Sequence, residues 1–219
     1  MTDLSNWAAV PRPERAVLEG RYARLEPLDR ARHEDSLRAA SLAPGAEERF
    51  RYLFESPDAE NFRAWIERAA ISTDPLFFAV VDKATGRAEG RQALMRIDPA
   101  NGVIEIGSIL WGPAIARTWV ATEALYLFAR YAFDALGYRR FEWKCNDRNE
   151  PSKRAAARFG FTHEGLLRQH MVVKGENSDT AWFSMIDTEW PGIKQGFEAW
   201  LAPENFDEEG RQRTKLQTR

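Results

Sequence analysis

Apolar and polar residues alternate from Gly20 to Leu28 (GRYARLEPL), the two-residue period of a half-buried strand that Pro27 closes. Asp29 then stands where a helix over residues 30–41 would need its N-cap. A second start signal, Ser56-Pro57-Asp58, precedes Phe62, Trp65, Ile66 and Ala69 at helical spacing. At Leu76 the period changes. LFFAVVD is a short apolar, β-branched run, and the turn residues KATG separate it from RAEGRQALMRID. Pro99 and Asn101-Gly102 make a further turn before VIEIGSILW, so three successive antiparallel strands are expected.

The period then returns to that of a helix over residues 119–136. Ala121, Leu125, Phe128, Ala132 and Leu136 mark one face, and Leu127 and Tyr131 widen it, which predicts a helix buried against the sheet. Gly137 is placed to end it. RRFEWKC reads as a strand. NEPSKRAAARFG reads as a short helix with Asn149 as N-cap and Gly160 as stop. Two more strands, 162–173 and 180–187, flank the turn GENSD, and Pro191 opens a last helix through Leu201. These elements predict an arm (1–19) packing through Trp7 or Val10, one domain (20–202), and a polar, loose tail (203–219).

Composition narrows the function classes. The 31 basic and 33 acidic residues leave a net charge of −2, without the cationic surplus that non-specific nucleic-acid binding requires. The single cysteine, Cys145, excludes an internal disulfide and a cysteine-rich zinc site. Neither a secretory signal nor a membrane-length apolar run is visible, so a cytoplasmic protein with no nucleic-acid and no membrane partner is expected.

The order of strand, helices, three-strand meander, long helix, strand, short helix and hairpin resembles the GNAT superfamily of N-acetyltransferases, in its RimJ/RimL-like branch. The residues that carry the likeness are LEGRYARLEPLD, IEIG, ATEAL, FDALGYRRFEWKC, the N-x-x-S of Asn149 and Ser152, and FGFTHEG. The resemblance implies an α/β (α+β) fold with a mixed, mostly antiparallel sheet, helices on both faces, and a splay between the fourth and fifth strands. It also implies acetyl-CoA as co-substrate and a primary amine as acceptor, with no metal. Monomer and homodimer stay open.

Such chemistry poses four problems. A helix N-terminus can hold the cofactor's pyrophosphate through unpaired N–H groups, and the entry to the long helix is the candidate, with Arg117, Thr118, Trp119, Val120 and Ala121 as binding residues. Here the sequence departs from the family's loop, Q/R-x-x-G-x-G/A. Ala116 holds the first position, Trp119 replaces the central glycine, and only the small residue Ala121 is kept. An indole at that place would obstruct close approach of backbone and phosphate.

The amine must lose a proton, and Glu105 sits on the strand where the family often places its base. Its plain alternative is a solvent-facing strand glutamate, and His163 and His170 are rival bases. Backbone N–H groups of Ser108, Ile109 and Leu110 would polarise the thioester carbonyl. Ser152 matches the family's general acid for the departing thiolate, and Asn149 its contact to the cofactor arm, although both also suit an ordinary helix start. Cys145 is expected as a strand residue, since direct transfer needs no acyl-enzyme. Trp111, Trp119, Trp143 and Trp182 fall near the expected cleft. The rival classes are a non-catalytic module that binds an acyl-CoA or another ligand, and a transferase with a different acyl donor.

Overall fold

The computed structural model describes residues 3–58 and 60–218. Its strands are β1 (Leu18–Glu19), β2 (Ala23–Pro27), β3 (Leu76–Asp82), β4 (Arg87–Asp98), β5 (Val103–Trp111), β6 (Arg140–Asn146), β7 (Thr162–Val173) and β8 (Glu176–Ile186). They form one eight-stranded sheet in the order β1-β2-β3-β4-β5-β6-β8-β7. Every neighbouring pair is antiparallel except β5 and β6. That parallel pair is joined by α4 (Trp119–Arg130), because parallel strands need a crossover and a long apolar helix supplies one.

The apolar run of β3 has a two-sided cause. Leu76, Phe78 and Val80 belong to the core beneath α4, whereas Phe77, Ala79 and Val81 pack with α1 (Arg30–Leu42) and α3 (Phe62–Ile71) on the other face. A strand covered on both sides has no solvent face, so both sets of alternate residues are apolar. Asp29 caps α1 as expected, its side chain accepting from Arg32 N. On the α4 side, α6 (Trp190–Leu201) adds Ile193, Phe197 and Trp200 to the core.

Several expectations need correction. The strand foreseen over 20–28 is interrupted, because Glu123 of α4 accepts the N–H groups of Arg21, Tyr22 and Ala23, which would otherwise continue a ladder. The signal at Ser56-Pro57-Asp58 makes a local turn, in which Asp58 accepts from Glu60 N and Asn61 N, and α3 starts at Phe62. A short helix, α2 (Ala46–Phe50), was not foreseen. The last turn of the long helix widens to π-type bonding over Tyr131–Ala135. The final hairpin turns at Lys174 (φ 53°) and Gly175 (φ 81°), not across GENSD, so β8 starts at Glu176. Two successive residues at positive φ make the tight turn that fits strand twist.

The arm packs through both foreseen residues: Trp7 Nε1 donates to Ala100 O (2.7 Å) and Val10 N to Pro99 O (3.1 Å). The C-terminal segment, foreseen as loose, is held in place. Asn205 is buried and its Oδ1 accepts from Thr214 N (2.9 Å), while Trp200 Nε1 donates to Gln212 Oε1 (2.8 Å). Phe206 stands edge-on to Trp119, centroids 4.8 Å apart. A count of polar residues underweights one half-buried aromatic and one buried amide, which suffice to anchor a segment of this length.

Candidate active site

The parallel pairing of β5 with β6 runs from Val103↔Arg140 to Ile106↔Trp143 and stops there. Strand β6 continues against β8 as far as Asn146↔Thr180, so the two strands part beyond Ile106. A cavity of about 380 Å³ lies at this opening, and Glu105, Gly107, Ser108, Lys144, Cys145 and Asn146 line it. Segment 51–54 after α2 and the β7–β8 hairpin supply its other walls.

Strand alternation explains what faces the cavity. Ile104 and Ile106 are buried in the core with α4, so Glu105 and Gly107 face the other way. A Cβ on Gly107 would lie 2.3 Å from the Met95 sulfur, so a larger residue there would have to displace the Met95 side chain. Beyond it, Ser108 adopts φ 49° and two residues of β5 oppose Gln92 alone, a bulge that turns the strand as it leaves β6. Arg91 holds the bulge from beneath. Its side chain is almost fully buried, Nη1 donates to Ser108 O (2.7 Å), Nη2 pairs with Glu55, and the guanidinium lies 4.5 Å from the Trp65 ring. The bulge and segment 51–55 are thereby tied to one side chain.

The floor of the cavity is a charge cluster. Glu105, 3% exposed, is in register with Glu142 of β6, and Lys144 Nζ lies 2.8 Å from Glu105 Oε2 and 2.8 Å from Glu142 Oε2. Arg96 Nη1 donates to Glu105 Oε1 (2.6 Å), and Arg140 Nε donates to Glu142 Oε1 (2.6 Å). The two buried carboxylates are therefore each held by two cations, one of them shared. Burial pushes the Glu142 carboxyl up, but hydrogen bonds from Lys144 and Arg140 outweigh it and hold the group below its ordinary value. The Lys144 ammonium also sits 3.6 Å from the Trp182 ring centroid. Toward Glu105 it makes an ion pair by distance but lies off the hydrogen-bonding direction, so Oε2 lacks a hydrogen-bonded donor.

The remaining foreseen residues lie around this floor in separate places. Ile109 is half-buried and Leu110 buried, both on the diverging stretch of β5. Asn149 caps α5 (Glu150–Arg158), accepting from Ser152 N (3.2 Å), and its own N–H donates to Asn146 O (2.9 Å) at the end of β6. Ser152 Oγ accepts from Trp143 Nε1 (2.9 Å), which leaves the hydroxyl hydrogen free to donate. Burial pushes the Cys145 thiol up, against a smaller opposing effect of Ser152, as befits a strand cysteine and not a nucleophile. Of the two histidines, His170 lines the cavity with Nδ1 2.9 Å from Thr180 Oγ1, whereas His163 is exposed and packs on Phe183.

Arg117, Thr118, Trp119, Val120 and Ala121 stand outside the cavity, at the start of α4. Thr118 caps the helix, accepting from Val120 N (3.2 Å), and the amides of Trp119 and Ala121 donate to none of the described residues. Arg117 is exposed at φ 66°. The Trp119 indole, foreseen as an obstruction, packs onto Tyr22 (5.4 Å) and Phe206 (4.8 Å), beneath Gly210, where a Cβ would lie 2.6 Å from the ring. The helix start therefore fits an anionic phosphate group.

Arg91, Arg96, Glu142 and Lys144 were not singled out from the sequence. Glu142 and Lys144 did leave a trace, because charges at alternate positions of an otherwise apolar strand ask for a charged neighbour strand.

A sheet opened at a bulge, beside a helix start free to hold phosphate, is suited to acyl transfer from a phosphate-bearing carrier. The family of acetyltransferase (GNAT) domains matches residues 24–162. The chain belongs to that family. A crystal structure of a GCN5-related N-acetyltransferase from Brucella melitensis is 62% identical, with 98% of each chain covered and a TM-score of 0.96. The N-acetyltransferase p20 of Bacillus licheniformis is 33% identical over 119 residues, 52% of this chain and 64% of that protein. YoaA, an N-acetyltransferase of Bacillus subtilis, is 36% identical over 70 residues, 32% of this chain and 40% of that protein. The chain thus spans less than two thirds of the length of these curated relatives.

Proposed function

We propose that the chain transfers an acetyl group from acetyl-CoA to a primary amine, as RimJ/RimL-like enzymes do, by direct attack in a ternary complex. The observation that carries this is the parting of β5 from β6 immediately past the buried Glu105, at a cavity large enough for an amine-bearing acceptor. Thr118, the free amides of Trp119 and Ala121, and Arg117 bind the pyrophosphate, and Asn149 meets the pantetheine arm. The bulge at Ser108 presents backbone N–H groups of Ser108 to Leu110 to the thioester oxygen.

Glu105 takes the ammonium proton at Oε2, and the neutral amine attacks the acetyl carbonyl. The C–N bond forms as the C–S bond breaks, the Ser152 hydroxyl gives its proton to the leaving thiolate, and the second proton shed by the attacking nitrogen restores that hydroxyl. Trp143 fixes that hydroxyl by donating to its oxygen. Trp119 turned onto Phe206 favours a working cofactor site over a non-catalytic binding module. The test is thiol release from acetyl-CoA across a panel of amines. Turnover of at least one amine, lowered about 10²-fold in kcat by Ser152→Ala, is expected. Acetyl-CoA that raises the melting midpoint without turnover of any amine would favour the binding module.

A further inference from the structure

Three cationic residues from three parts of the chain meet beside the cavity at one short segment, which contains Arg51 and is contacted by Lys174 and by the Arg148 backbone. Lys174, at the tip of the β7–β8 hairpin, donates from Nζ to Phe50 O (2.9 Å), at the end of α2. Arg148, between β6 and α5, accepts through its carbonyl from Tyr52 Oη (3.1 Å). The Arg51 guanidinium lies 5.4 Å from the Tyr52 ring. All three residues line the cavity.

Their charges are poorly matched by the protein. Lys174 and Arg148 form no ion pair among the described residues, and Arg51 has only the loose, exposed contact to Glu48 (3.5 Å). The other lining cations, Arg96 and Lys144, are committed to Glu105 and Glu142. Glu176 is the one lining carboxylate outside that floor among the described residues, and Asp179, which accepts from Gln169 N (2.6 Å) and Asn177 Nδ2 (3.0 Å) through Oδ1, shares its charge between Arg148 and Arg168 without forming an ion pair with either. The start of α4, where cofactor phosphates would dock, lies outside the cavity, so these cations are not needed there.

We propose that the acceptor is an anionic amine: a molecule that presents its primary amine toward Glu105 and a carboxylate or phosphate to Arg51, Arg148 and Lys174. This rests on the transferase reading of the cavity. A like-charged acceptor would meet repulsion from all three side chains, so the same groups reject basic amines as they attract acidic ones. A free metabolite and an acidic peptide N-terminus share this chemistry.

The test compares matched acceptors that differ in charge: γ-aminobutyrate against n-butylamine, and Ser-Glu-Glu-Ala amide against Ser-Gln-Gln-Ala amide. In at least one pair the anionic member should have about tenfold or higher kcat/KM at low salt, shrinking as ionic strength rises. The pair with the larger ratio identifies the source. Arg148→Glu, at an exposed residue free of ion pairs, should remove or invert the preference without moving KM for acetyl-CoA. Turnover of the members that lack a carboxylate as fast as of those that carry one overturns the proposal and leaves the transferase reading standing. Titration calorimetry of the same four compounds separates the other failure: charge-selective binding without acetylation by any of them overturns the transferase reading alone. Binding without charge preference overturns the proposal.

Discussion

Glu123 and Glu105 are buried to nearly the same degree, 4% and 3% exposed, yet one closes a structural joint and the other floors an open cleft. At the joint between α4 and β2, Glu123 accepts three backbone N–H groups at 2.8, 2.6 and 2.6 Å. Those donors belong to the main chain and have no other partner, so the carboxylate is fully engaged and the strand is pinned to the helix. At the β5/β6 opening, Glu105 is held by cationic side chains, Arg96 and Lys144, and not by main-chain donors, and keeps one oxygen without a hydrogen-bonded donor. Burial alone therefore says little about role. What matters is whether the partners are fixed, and whether a lone pair is left over.

The largest effect should come at the cleft. Glu105→Gln is expected to lower kcat by about 10²-fold to 10⁴-fold while KM for acetyl-CoA stays near wild type, in steady-state kinetics across pH 6 to 9. Wild-type turnover throughout would transfer the base role to His170 or to water. The joint should respond in stability and not in rate. Glu123→Ala strands three backbone donors, which costs about 3 kcal/mol, or roughly 6–12 °C in melting midpoint for a chain of this size. Glu123→Gln, which retains a carbonyl acceptor, should recover part of that, and folded protein should keep its kcat in both cases.

Trp119 lies between the two regions and sharpens the contrast. Trp119→Ala removes the packing against Tyr22 and Phe206, with an expected cost of about 2 kcal/mol for a half-buried indole, read by chemical denaturation. KM for acetyl-CoA should change by less than about threefold, because the ring leans away from the helix start. A large fall in that KM would mean the indole obstructs the phosphates after all.

The smallest effect is expected at Glu164, whose carboxyl is held down at about 2 chiefly by hydrogen bonds from Arg140. A carboxyl lowered on folding stabilises the native state above its ordinary value of 4.5, and that contribution fades as pH falls from there through about 2. Both side chains are partly exposed, so the contribution is screened. Acid unfolding of Glu164→Gln should accordingly be shallower than wild type between pH 4.5 and 2, with the two proteins converging at the acid end.

Most elements of the fold were legible in the chain. The β3 run, the broad apolar arc of α4 and the Asp29 cap each state a local rule that tertiary packing then obeys. Glu105, Ser108, Asn149 and Ser152 were named through the family resemblance, at positions that fall on β5 and at the start of α5. Arg91 and Arg96 could not be named, because their partners are 36 and 9 residues away in sequence and no local pattern reports such pairings, and for Lys144, 39 residues from Glu105, the alternate charges of β6 were the one local trace.

Sequence alone thus determined the order of elements, the antiparallel meander of β3 to β5 and the wide apolar arc that buries the following helix against the sheet. These follow from periodicity and connection length, which are properties of neighbouring residues. Tertiary structure alone decided that Trp119 turns away from the helix start and that the C-terminal segment folds back to meet it. It also decided that Lys144 stands between two carboxylates, and that Arg51, Arg148 and Lys174 gather at one cavity. Each of these depends on side chains from elements far apart in the chain, and only the closed sheet with its packed helices fixes their distances and leaves charges without partners.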